Sequence, residues 1–224
     1  MSRKVLILGG TKEAAELAQK LVAEGANVTT SLAGRTREPK PIAGDVRSGG
    51  FGGVEKMAEW IAANRIDLVV DATHPFAMQI SANAQAACAI TDVQLDIKQR
   101  KPWQKHKDDI WQEVDTLCEA AKIIPKGARV LLALGSQYLH AFETRNDVAF
   151  VVRMVDAPES PPDLKSYELL LGRPSGDWQI EANLLRDKKI THIVCRNSGG
   201  SGAYAKIVAA RSLAIPVILI NMPR

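Results

Sequence analysis

From residue 4 to residue 221, short runs of aliphatic and β-branched residues alternate with longer stretches whose apolar positions recur every three or four residues. The runs predict strands near 4–9, 27–32, 67–71, 93–98, 129–134, 148–153, 168–171, 192–196 and 217–221. The periodic stretches predict helices near 12–24, 54–64, 75–90, 115–123, 136–143, 178–188 and 202–214. Repeated strand–helix–strand units build mainly parallel sheets with helices on their faces, so the expected fold class is α/β.

Two stretches break the rhythm. Residues 33–53 are too long and too glycine-rich for a simple connector and read as a functional loop, whereas Asp156 to Asp163 is proline-rich and reads as an extended excursion. A second series of strand–helix units begins near Pro125-Lys126-Gly127, which predicts lobes at 1–125 and 126–224.

Composition narrows the class. At 224 residues and 46% hydrophobic content the chain can bury a substantial core, and no stretch approaches the apolar length of a membrane span. Met1-Ser2-Arg3-Lys4 leads into a strand with no signal-type apolar segment, so a cytoplasmic protein is expected, and a monomer is compatible with the sequence. The three cysteines, Cys88, Cys118 and Cys195, are widely separated among apolar neighbours and are expected to be buried thiols. His74, His106, His140 and His192 have no ligand-type spacing, so no metal site is expected. The net charge of +4 is dispersed, without a basic block or base-stacking aromatic motif. That pattern argues against a nucleic-acid partner and suits a polyanionic small molecule.

The chemistry starts at the first strand, where Val5-Leu6-Ile7-Leu8 runs into Gly9-Gly10-Thr11 and then a helix. A strand that stops at a glycine turn and restarts as a helix directs main-chain N–H groups and a positive dipole end at one spot, as a phosphate requires. Ala14 or Ala15 replaces the third glycine of the full dinucleotide fingerprint. After the second strand, where an NAD site places a carboxylate, this chain has Ser31 and Arg35 and no acid before Glu38. A hydroxyl with a guanidinium suits the 2′-phosphate of NADP(H).

Further candidates follow the other strands. Arg47-Ser48-Gly49-Gly50-Phe51-Gly52-Gly53 can wrap its backbone around an anion beside Arg47. Asp71-Ala72-Thr73-His74-Pro75 brings a carboxylate, a hydroxyl and an imidazole to the carboxyl edge of the sheet, with Pro75 expected in a helix first turn. Arg173 follows a short strand, and Arg196 to Gly202 repeats the strand–glycine–helix arrangement, with Lys206 in the helix. No P-loop and no nucleophile–base pair stands out.

Together these segments resemble the precorrin-6A reductases of cobalamin biosynthesis, including the cobalt-precorrin-6A reductases. The resemblance rests on Gly9 to Ala14, Gly49 to Gly53, Asp71 to Ala77, Lys101-Pro102-Trp103, Gly172-Arg173-Pro174, Asn197 to Gly202 and the stretch from Ala214 to Arg224, in the family's order. It implies two Rossmann-like lobes with a cleft between them and NADPH-dependent reduction of one double bond of the precorrin-6A macrocycle. On that basis Gly9, Gly10 and Thr11 take the pyrophosphate, and Ser31 and Arg35 the 2′-phosphate. Arg47, Gly50, Phe51, Gly52, Thr73, Arg173, Ser198, Gly200 and Ser201 would face the tetrapyrrole substrate. His74, and after it Lys206, is the candidate proton donor.

The rival class is a non-catalytic protein that senses NADP(H) or carries a tetrapyrrole, which needs only the glycine turns and the basic surface. A short-chain-type reductase is disfavoured, because Tyr204 and Lys206 are two apart and do not share a helix face.

Overall fold

The first apolar run forms strand β1 (Lys4–Leu8) in the computed structural model, which describes residues 2–34 and 41–223. Val5 and Ile7 enter one core layer with Ala14 and Ala18 of α1 (Lys12–Ala23). Leu6 and Leu8 enter another with Met57 and Ile61 of α2 (Val54–Ala63) and Ala84 and Ala87 of α3 (Met78–Thr91). Because both faces are covered, the strand reads as a continuous apolar run rather than an alternating one.

β2 (Asn27–Leu32), β3 (Asp45–Ser48), β4 (Leu68–Asp71) and β5 (Gln94–Ile97) complete a five-stranded sheet in the order β3-β2-β1-β4-β5. Every pairing is parallel. The chain steps outward from β1 to β3 and then crosses back to β4, so the direction of winding changes between β1 and β4. Ligands of doubly wound sheets bind beyond the carboxyl ends of the strands at such a point.

Two expectations change here. β3 lies inside the stretch read as a loop, and α3 begins at Met78 rather than at Pro75. Ala77 donates its N–H to the His74 carbonyl at 2.7 Å, so His74-Pro75-Phe76-Ala77 is a tight turn with proline at its second position.

The compact units divide after Arg100, as Met1–Arg100 and Lys101–Arg224, rather than at residue 125. The reason is β6 (Trp111–Val114), which sequence reading missed and which pairs with β11 (Val217–Ile220). Between them come α4 (Leu117–Ile123), β7 (Arg129–Ala133), a 3-10 helix (Ser136–Phe142), β8 (Ala149–Met154), β9 (Tyr167–Leu171), α5 (Trp178–Asp187), β10 (His192–Arg196) and α6 (Ala205–Ser212). The six-stranded sheet runs β6-β11-β10-β7-β8-β9, again all parallel, and its winding reverses between β7 and β10.

Leu131, Val151, Ile193, Cys195, Val217 and Leu219 pack under Ala182 and Leu185 of α5 and Ile207, Ala209 and Ala210 of α6. The proline-rich stretch joins β8 to its parallel neighbour β9 as a crossover with no helix. Cys88 and Cys195 are buried as expected, but Cys118 is exposed. α4 turns Ala120 and Ala121 inward, which leaves Cys118 on its outer side. Among the described residues no helix is long and apolar enough to cross a membrane.

Candidate active site

In the first unit, the turn after β1 is shaped by the strand beside it. Gly9 donates its N–H to the Ser31 carbonyl at 2.9 Å. A Cβ on Gly9 would lie 2.7 Å from Thr30 Cγ2, on a side chain that is fully buried. Gly10 has φ +98°, a conformation that side chains other than glycine's seldom adopt. Thr11 then caps α1, its hydroxyl accepting from Ala14 N at 3.1 Å and donating to the Ala72 carbonyl at 2.8 Å.

That second bond ties the glycine turn to the end of β4, across the change in winding. The first-turn N–H groups of α1 have no intrahelical acceptors and form an anion-binding end. Glu13 would oppose an anion there, but its carboxylate is paired with Arg100. The turn can therefore receive an anion, as a dinucleotide pyrophosphate would require.

Ser31 and Arg47 face each other in the register of β2 and β3. Arg47 Nη1 donates to Ser31 Oγ at 2.7 Å and to the Gly49 carbonyl at 3.1 Å, and Nη2 donates to the Gly50 carbonyl at 3.2 Å. Its guanidinium carbon lies 3.8 Å from the Phe51 ring centre, and Phe51 meets Trp60 edge-on at 5.7 Å. Arg47, expected on the substrate side, thus stands beside Ser31. Arg35 lies outside the described residues.

At the end of β4, Asp71 is buried, and its Oδ1 accepts from Thr73 N at 3.1 Å and Thr73 Oγ1 at 2.7 Å. His74 Nδ1 accepts from Phe76 N at 3.3 Å, which in the neutral ring leaves the proton on Nε2. Asp71, a motif residue outside the set expected to contact ligand, holds Thr73 in place.

In the second unit, the glycine loop after β10 is anchored from below. Asn197 Oδ1 accepts from Trp103 N at 2.7 Å and Asn197 Nδ2 donates to the Trp103 carbonyl at 3.2 Å. Trp103 Nε1 donates to the Gly200 carbonyl at 2.7 Å. Gly199 and Gly200 have φ +61° and +67°, Ser198 is buried, and Gly200 and Ser201 are exposed.

Lys206 is only 4% exposed; its ammonium donates to the Ala203 carbonyl at 2.8 Å and lies 5.0 Å from the Trp103 ring centre. Burial pushes its pKa down, a shift opposed by neighbouring Cys195 and reinforced by Arg153. Lys206 therefore sits beneath the loop rather than on its surface.

Arg173 is exposed on the loop after β9, beyond Gly172, whose N–H donates to the Met154 carbonyl at 2.8 Å. Beneath this loop, Glu181 accepts from Arg153 at 2.7 Å and from Ser175 N at 2.8 Å, and both members of the ion pair are buried. Neither Arg153 nor Glu181 was a sequence candidate, because a lone charge in a strand or helix carries no motif.

The structure thus gathers Gly9, Gly10, Thr11, Ser31, Arg47, Gly50, Phe51, Gly52, Thr73 and His74 on the carboxyl side of the first sheet. Arg173, Ser198, Gly200 and Ser201 lie on the carboxyl side of the second.

A protein-family model described as Precorrin-6x reductase CbiJ/CobK matches residues 4–224. A relative named precorrin-6A reductase from Rhodobacter capsulatus is 43% identical over 221 residues, covering 98% of this chain and 88% of that protein. A cobalt-precorrin-6A reductase from Salmonella typhimurium is 28% identical over 233 residues, with coverage of 98% and 87%. A solved structure titled CobK precorrin-6A reductase superposes with a TM-score of 0.96 at 43% identity, covering 99% of this chain and 89% of that one. The chain belongs to the precorrin-6x reductase CbiJ/CobK family.

Proposed function

We propose that this protein reduces one double bond of the precorrin-6A macrocycle, or of its cobalt form, with NADPH as reductant. The observation that carries the reading is the tied turn at β1 and β4, where a glycine cradle, a capped helix end and the Thr73-His74 segment meet, in a chain of this reductase family.

NADPH supplies a hydride when bound. The first turn of α1 holds its pyrophosphate through main-chain N–H groups, Gly9 (whose own N–H is taken by Ser31) and Gly10 let the backbone come close, and Thr11 fixes the helix end. Ser31 stands where the ribose of the adenosine half lies in sheets of this order. Thr73, kept in place by Asp71, and His74 serve the reacting end. His74, as imidazolium, gives its Nε2 proton to the carbon next to the one reduced and returns to the neutral ring, the form in which Nδ1 accepts from Phe76 N. The loops carrying Arg173 and Ser198 to Ser201 give guanidinium, hydroxyl and main-chain N–H groups to the acidic side chains of the tetrapyrrole.

Incubation with precorrin-6A, with and without cobalt, while following NADPH absorbance tests this function. Coenzyme oxidation that depends on the macrocycle is expected. Tight binding of both compounds without oxidation would make the protein a carrier instead.

A further inference from the structure

The pairing of Ser31 with Arg47 gives the coenzyme site a cation that the sequence did not place there. We propose that Arg47, clamped to Ser31 and stacked on Phe51, is the specificity-determining residue that reads the 2′-phosphate of the coenzyme. The inference rests on the dinucleotide reading of the β1 turn.

Position comes first. Gly9 is bonded to Ser31 at the end of β2, and Arg47 is the register partner of Ser31 on β3. The guanidinium therefore lies at the same strand end as the glycine turn, where the adenosine ribose rests in this topology. The residues after β2, Ala33-Gly34, bring no carboxylate to compete for a ribose diol or to repel a phosphate.

Charge comes second. Among the described residues, Arg47 makes three hydrogen bonds, all to neutral oxygens, and no carboxylate pairs with it. A partly buried guanidinium without a counter-ion is stabilised by a ligand anion, and burial also pushes the Arg47 pKa down.

Order comes third. The left-handed φ of Gly49 at +104° and of Gly52 at +87° wraps the loop so that the Gly49 and Gly50 carbonyls meet the guanidinium. The Phe51 ring, braced by Trp60, fixes its plane. Its orientation is set before any ligand arrives, which lowers the entropy lost on binding. A residue meant for a variable cluster of surface carboxylates would not need such fixing, whereas one phosphate at one distance does.

The test is a titration of the intact protein with NADPH and with NADH, read by nicotinamide fluorescence, for the unaltered chain, Arg47→Gln and Arg47→Lys at low and high salt. Glutamine keeps donors for Ser31 and the loop carbonyls but no charge. The unaltered protein should prefer NADPH. Arg47→Gln should weaken NADPH by about 10- to 100-fold, the worth of a charged hydrogen bond, and leave NADH within about twofold. Arg47→Lys should recover part of the preference. Added salt should narrow the NADPH preference of the unaltered protein and not that of Arg47→Gln.

Preference for NADPH that survives in Arg47→Gln, or equal weakening of both coenzymes by that change, would overturn the assignment while leaving the dinucleotide reading intact. Equal binding of both coenzymes by the unaltered protein would overturn it together with the choice of NADPH. Failure to bind either would remove the dinucleotide reading itself.

Discussion

Asn197 grips the main chain of Trp103 from both sides, accepting its N–H and donating to its carbonyl, although 94 residues separate them in sequence. One side chain thus fixes the approach to β6 against the end of β10. Replacing it by alanine leaves two buried main-chain groups without partners. Asn197→Ala should lower stability by about 2–4 kcal/mol, read as a shift in urea midpoint at constant slope. An unshifted midpoint would mean that water replaces both bonds.

The clash at Gly9 is a second quantity that can be measured. Gly9→Ala should destabilise the chain by about 1–3 kcal/mol, because its Cβ must displace Thr30 Cγ2 from a filled site. Thr30→Ser removes that methyl group, so the double variant Gly9→Ala/Thr30→Ser should be more stable than the sum of the two single changes predicts. Strict additivity in a double-mutant cycle would show that the two positions do not meet.

His74 gives a kinetic prediction. If Nε2 delivers the proton, His74→Ala should lower kcat by about 100-fold and abolish the fall in rate at high pH. Full turnover across the pH range would reduce His74 to the turn residue that its bonds with Phe76 and Ala77 already make it.

Burial of Lys206 gives stability a pH dependence. Its pKa in the folded protein lies below the usual 10.5, so between those two values the unfolded chain binds more protons and stability rises with pH. The penalty for the buried charge is complete below the folded pKa and gone above 10.5. Subtracting the pH–stability curve of Lys206→Met from that of the unaltered protein should leave a difference that climbs across this interval and is flat on either side. A difference with no slope would mean that the ammonium is solvated.

Much of this was legible in the sequence wherever burial writes a pattern. β1, β4, β7 and β10 are mainly apolar because they are buried, and the glycines after β1 and β10 mark turns in left-handed conformations that glycine favours. The two missed strands are edge strands. β3, Asp45-Val46-Arg47-Ser48, has no fully buried residue, and β6, Trp111-Gln112-Glu113-Val114, buries only Trp111.

Missing β3 also hid the pairing of Arg47 with Ser31, since nothing in a linear reading sets residue 47 opposite residue 31; the β2–β3 register does. The burial of Lys206 was hidden for another reason: a lysine after a glycine loop carries no sign of it, and only the packing against Trp103 reveals it.

The placing of β11 between β6 and β10 bears on how the protein is made. The ribosome must complete Val217–Ile220 before Trp111–Val114 acquires any strand neighbour, whereas the five strands of the first sheet have all been synthesised by Ile97. During translation a finished N-terminal half would precede a C-terminal half whose sheet stays split until its last strand is threaded in. That interval is when the nascent chain is most open to proteolysis and mispairing.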